Sequence, residues 1–80
     1  MPKRKSKKYK IIVMNDSINS FQHVQTCLQE ICGHNQYQAI QCTNIIHNNG
    51  KCQVYINTQD HCTTILKELE NQGILAKIEK

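Results

Sequence analysis

The apolar positions of this chain change period along its length, and the changes mark out six elements. Tyr9–Asn15 (YKIIVMN) is a β-branched, apolar run suited to a strand buried on at least one face. From Ser20 the apolar residues fall at Phe21, Val24, Leu28 and Ile31, with Cys27 and Cys32 alongside, which is the stripe of one helix face. Gly33-His34-Asn35 ends this helix, Phe21–Cys32, with Gly33 placed to take a left-handed turn. A second helix is predicted over Gln36–Asn48, with Ala39, Ile40, Thr43, Ile46 and His47 on one side. Asn49-Gly50-Lys51 is a turn signal. Cys52–Ile56 alternates as a strand does. Thr58 caps a third helix running to Gln72, whose stripe is Cys62, Ile65, Leu66 and Leu69. Gly73 closes it, and Ile74–Ile78 forms the last strand.

The order is therefore β-α-α-β-α-β. Three strands and three helices in 80 residues form an α+β domain of two layers, with helices on one face of a small, mainly antiparallel sheet. A chain of this length builds one thin core and one surface cleft, not a deep multi-substrate active site.

Charge divides the chain into two parts. Met1–Lys10 holds Lys3, Arg4, Lys5, Lys7, Lys8 and Lys10 and no acid, whereas the remainder sets four lysines against six acids. The folded body is mildly acidic with a basic extension, expected to be disordered over residues 1–8, ahead of a domain over 9–80. A nucleic-acid footprint across the fold is not supported. No apolar run is long enough to span a membrane. The expected location is the cytoplasm, or a plastid stroma for a mature organellar form.

The five cysteines are odd in number and evenly spread, so they read as small core residues of a reducing compartment rather than a disulfide framework. His23 and Cys27 share a helix face and Cys32 adjoins Gly33-His34, but no CxxC or HxxxH pair exists. Neither a metal nor another cofactor is expected. A cysteine nucleophile would need an exposed thiol of depressed pKa, which nothing here supplies, so the chain is not read as an enzyme.

The residues that could carry a binding function are Asn15 and Asp16, just past a buried strand, and His47 at the end of a helix. Together they offer an amide oxygen, a carboxylate and an imidazole nitrogen, which suits a primary ammonium group with three donors. On residue types alone, the stronger reading is a plain turn and a helix end favoured by the dipole.

A resemblance alters that balance. Tyr9–Asp16, the helix Phe21–Cys32 and Ile46-His47-Asn48-Asn49-Gly50-Lys51 resemble ClpS, the adaptor that hands substrates bearing N-terminal degradation signals to a Clp-family unfoldase and its protease. The resemblance covers Tyr9 to Glu79 and implies the β-α-α-β-α-β fold shared with the C-terminal domain of the ribosomal stalk protein. It implies that Asn15, Asp16 and His47 hydrogen-bond the α-amino group of a substrate's first residue. It further implies that Val13, Ser17, Asn19, Phe21, Val24, Thr43, Ile46 and Leu75 line or gate the pocket for that residue's side chain.

The implied partners are peptides beginning with Leu, Phe or Tyr and the N-terminal domain of a ClpA/ClpC-type unfoldase. The latter would be met by a helical surface away from the pocket that includes part of Thr58–Gln72. The basic extension would assist delivery, and the adaptor is expected to be a monomer.

Ser17 replaces the family's usual second Asp, Phe21 and Thr43 replace Met, and Asn19 replaces Thr. These departures, with Thr43-Asn44, bring the chain closer to the divergent second type of ClpS found in cyanobacteria, and imply a narrowed pocket that accepts Trp poorly. A charged α-amino group, with a pKa near ~8, would lose roughly 2–5 kcal/mol on acetylation through leaving Asp16 unpaired. Burial of a Leu or Phe side chain would add about 1.5–3 kcal/mol. Two other functions fit the same pattern: a regulator of the unfoldase without substrate recognition, and a basic-tailed nucleic-acid or ribosome-associated module.

Overall fold

A computed structural model describes residues 8–16 and 18–80. The order is β1 (Tyr9–Met14), α1 (Phe21–Glu30), α2 (Gln36–Asn49), β2 (Lys51–Asn57), α3 (Gln59–Asn71) and β3 (Ala76–Glu79). The expected α+β architecture is present: one three-stranded sheet in the order β2-β1-β3, antiparallel at both junctions. The expected disordered extension and Ser17 lie outside the described residues, apart from exposed Lys8.

The central position of β1 follows from its sequence. Ile11, Ile12 and Val13 are all buried, as a strand flanked on both sides requires. Ile11 and Val13 point into the helix-covered core with Val24, Leu28, Ala39, Ile46 and Leu69. Ile12 faces the other way, between Gln53 and Lys77, and is only 8% exposed. Flanking aliphatic stems can cover such a residue without a second helical layer.

Each helix begins on the short polar side chain that the pattern marks or adjoins. Ser20 accepts from the His23 N–H (3.1 Å), Asn35 from the Gln38 N–H (2.8 Å) and Thr58 from the His61 N–H (3.5 Å). The end of α3 is a left-handed cap. Gly73, at φ +79°, donates its N–H to Glu70 O, and the Ile74 N–H reaches back to Leu69 O at 3.0 Å, with both side chains buried.

Two elements depart from the sequence expectation. The last strand begins at Ala76 rather than Ile74, because the cap of α3 uses Gly73 and Ile74 before the chain can extend. In β2 the alternation is broken by a bulge: Ile11 pairs with Tyr55 and Ile12 with Gln53, leaving Val54 extra. Val54 and Tyr55 therefore both pack on the core, and Ile56 is turned out to 51% exposure. His34, 8% exposed, binds the Val54 carbonyl through Nε2 and so braces the bulge.

Candidate functional site

The end of β1 is where the rest of the chain converges. The Asn15 N–H donates to Gly50 O at 2.8 Å, which ties the α2–β2 turn to this point. The Met14 N–H donates to Leu75 O at 2.9 Å, which ties the lead-in to β3 to the same point from the other side. Gly50 permits the first contact by adopting φ +95° at the C-cap of α2, so that helix and strand join with no further loop residue. The first of these bonds sets the α2 end that bears His47 near Asp16, and the second sets the chain between α3 and β3.

Asp16 is held on every side but one. Its Oδ1 accepts from the Ile18 and Asn19 N–H groups, both at 2.9 Å, and from Asn19 Nδ2 at 3.2 Å. Among the described residues its Oδ2 accepts from Asn19 Nδ2 alone, at 2.9 Å. The N–H groups of Asn19 and Ile18 hold the carboxyl below its ordinary value; burial opposes them, and the nearby His47 adds a smaller lowering. An ionised carboxylate has about four acceptor positions, so among the described residues the open one is on Oδ2. Asn19 also donates to Gly73 O at 2.8 Å, linking the Asp16 loop to the cap of α3.

His47 is oriented by its own helix. Its Nδ1 lies 3.0 Å from the Thr43 carbonyl, and a carbonyl can only accept, so Nδ1 carries the proton. In the neutral ring Nε2 is then an acceptor, and among the described residues it has no partner. The Phe21 ring packs against the imidazole, with centroids 5.3 Å apart and planes tilted by 39°.

Behind these groups lies an apolar recess of about 10 Å³, lined by Val13, Met14, Asn15, Asp16, Asn19, Val24, Ile46 and Ile74. That volume is at the threshold for one water molecule. The structure therefore brings together Val13, Asn15, Asp16, Asn19, Val24 and Ile46 of the expected set, and places His47 beside Asp16 without lining the recess. It does not bring Thr43, Leu75 or Phe21 to that lining. Thr43 is fully buried, with Oγ1 donating to Ala39 O at 2.7 Å. Leu75 is 49% exposed, and Phe21 covers His47 instead.

Met14 and Ile74 join the lining unforeseen by the sequence pattern. The signal for Ile74 was Gly73: a left-handed helix cap is commonly followed by an apolar residue folded back onto the helix. The expected penalty for leaving Asp16 unpaired is also revised, because Asn19 and Ile18 satisfy the carboxylate without a ligand.

No three metal-ligating side chains come together among the described residues. Among those residues, no helix is long and apolar enough to cross a membrane.

Comparison with known proteins gives the same class that fold and site suggest. The family model described as ATP-dependent Clp protease adaptor protein ClpS matches residues 4–76. The ClpS adapter of Synechocystis sp. (strain PCC 6803) is 35% identical over 74 residues, covering 90% of this chain and 76% of that protein. That of Prochlorococcus marinus (strain MIT 9515) is 32% identical over 79 residues, covering 98% and 75%. The structure of Agrobacterium tumefaciens ClpS2 bound to L-phenylalaninamide superposes with a TM-score of 0.88 at 20% identity, covering 94% of this chain and 98% of that one. The chain belongs to the ClpS family of Clp protease adaptors.

Proposed function

We infer that the chain binds the free α-amino group and the apolar first side chain of substrate proteins and delivers them to a Clp/Hsp100 unfoldase. The observation that carries this reading is the set of acceptors at the end of β1. They are an ionised Asp16 with one open position on Oδ2, the Asn15 amide, and His47 with its Nδ1 proton already committed to Thr43 O. A carboxylate, an amide oxygen and, in its neutral form, an imidazole nitrogen suit an –NH₃⁺ group. The bound L-phenylalaninamide of the Agrobacterium protein offers a free amino group beside an aromatic side chain.

In this reading Asn15, Asp16 and His47 take the amine and Asn19 positions Asp16. Val13, Val24, Ile46 and Ile74 receive the side chain, with Phe21 as a gate over His47; Ser17 and Leu75 keep the outlying roles that the resemblance implies, whereas Thr43 belongs to the core of α2. The chain performs no chemistry of its own and acts in the cytoplasm or a plastid stroma. The unfoldase's N-terminal domain docks on α3, where Asp60, His61, Thr64 and Ile65 with Tyr55 of β2 line a shallow depression of about 210 Å³.

The test is fluorescence anisotropy with a Phe-initiated peptide, its N-acetylated twin, and the free peptide against Asp16→Ala. Binding of the first alone supports the reading, and equal binding of the acetylated twin overturns it. A second reading, a regulator that docks on the unfoldase without gripping substrate, is favoured by the 10 Å³ recess. It predicts binding of the unfoldase N-terminal domain with none of L-phenylalaninamide.

A further inference from the structure

The recess at the end of β1 has one apolar wall that belongs to neither a helix nor a strand. Among its described apolar lining residues, Val13 and Met14 sit in the central strand, and Val24 and Ile46 sit inside α1 and α2. Ile74 alone rides on a connecting segment, Gln72-Gly73-Ile74-Leu75, between α3 and β3. A recess of about 10 Å³ admits no side chain as it stands. Room is made most cheaply where the wall is not part of a hydrogen-bonded ladder, which is at Ile74. Gln72, Gly73 and Leu75 are exposed, which leaves solvent on the outer side of this strap.

Two side chains fasten the strap to the α1 side. His23 Nε2 lies 2.9 Å from Gln72 O, and Asn19 Nδ2 donates to the next carbonyl, Gly73 O, at 2.8 Å. A carbonyl only accepts, so in the neutral ring His23 carries its proton on Nε2, the opposite tautomer to His47. The other bonds run elsewhere: the Gly73 and Ile74 N–H groups return to Glu70 O and Leu69 O of α3, and Leu75 O accepts from the Met14 N–H of β1. Asn19 is committed to Asp16 as well, whereas none of the hydrogen bonds described for His23 reaches Asn15, Asp16 or His47. The His23 bond can therefore be removed without touching the acceptors of the amine site.

We propose that His23 is a positioning residue that latches the Gln72–Leu75 strap over the recess and so limits the size of the first side chain admitted. The limit on size rests on the reading that the recess receives a substrate's first residue; the latch itself does not. A larger side chain must push Ile74 further out, and the Gln72 carbonyl must then leave His23. The bond is exposed, so its loss is worth about threefold to tenfold in the opening equilibrium.

Two measurements on the full chain test this. The first is amide hydrogen exchange by NMR, without ligand, on the wild type, His23→Phe, which keeps a ring and loses the donor, and His23→Gln, which keeps a side-chain N–H. In His23→Phe the Ile74 N–H and the Met14 N–H should exchange about threefold to tenfold faster. The N–H groups of Ala39 and Cys62, bonded to Asn35 O and Thr58 O, should keep their rates, and His23→Gln should restore slow exchange at the strap. The second is fluorescence anisotropy with Leu- and Trp-initiated peptides and their acetylated twins. His23→Phe should raise the ratio of Trp to Leu affinity about threefold to tenfold and leave the acetylated twins unbound.

Unchanged exchange at Ile74 and Met14, acceleration shared equally by Ala39 and Cys62, or an unchanged Trp to Leu ratio would overturn the proposal. A wild-type chain that bound free and acetylated peptides alike would instead sink the underlying reading, and the limit on size with it. The ligand-free exchange would still decide whether His23 latches the strap.

Discussion

The two halves of the site at the end of β1 are built on opposite principles. The polar half is finished before any ligand arrives: Asp16 carries donors from Ile18 and Asn19, and His47 has its tautomer set by Thr43 O. The apolar half is closed, because Val13, Val24, Ile46 and Ile74 pack together and leave about 10 Å³. These four residues are 5% exposed or less and belong to the same cluster as the rest of the core. The acceptors that an amine would use are thus preorganised, whereas room for a side chain would have to be taken from the core. One half should report in binding, the other in stability.

The largest effect expected is on binding. Asp16→Ala should weaken a Phe-initiated peptide by about 2–5 kcal/mol, measured by anisotropy, while lowering stability by less than about 1 kcal/mol because its loop is partly solvated. The opposite signature is expected of Ile74→Ala. Removing this buried side chain should cost about 2–4 kcal/mol in urea unfolding and widen the recess, so that the ratio of Trp- to Leu-initiated peptide affinity rises. If Asp16→Ala proved the more destabilising of the two, the division of labour would be wrong.

His47→Ala should cost about 1–2 kcal/mol in peptide binding with little loss of stability, since the ring is exposed and its hydrogen bond stays within α2.

The smallest effect expected is that of Asn19→Ala, which tests whether Asn19 sets the state of Asp16. The carboxyl is held down mainly by the Asn19 and Ile18 N–H groups, with the Asn19 side chain adding to them. A depressed carboxylate stabilises the fold above its unfolded value of 3.8, and that contribution is lost as pH falls through the lower folded value. Asn19→Ala should move the Asp16 titration, followed by carboxyl NMR, up toward 3.8 and shrink the acid-sensitive part of stability. A titration that does not move would show that the backbone donors suffice alone.

The fold was legible in the sequence wherever one local rule acted alone. The cap at Thr58, the stripes of α1 and α3, and the apolar run of β1 needed no tertiary information. Legibility failed where a distant partner intervened. The bulge that turns Ile56 outward depends on His34, twenty residues earlier, taking the Val54 carbonyl. The late start of β3 depends on how α3 is capped.

The site shows the same division. Asn15, Asp16 and His47 could be placed from the strand end and helix end that carry them. The role of Asn19 as a clamp on Asp16 and Gly73 O required the fold of the loop. Thr43 could not be resolved as core from spacing alone, because a helical Thr that returns its hydroxyl to the carbonyl four residues back hides its polarity.

The central claim is that a preformed acceptor set selects a charged α-amino group. Isothermal titration calorimetry of the wild-type chain with L-phenylalaninamide and with N-acetyl-L-phenylalaninamide, repeated from pH 7 to 9.5, tests it most directly. The account predicts binding of the free amine only, weakening as pH rises through the ligand amine's own pKa, while Asp16 stays ionised throughout. Equal affinity for the two ligands, or affinity that does not change as the amine loses its proton, would contradict it.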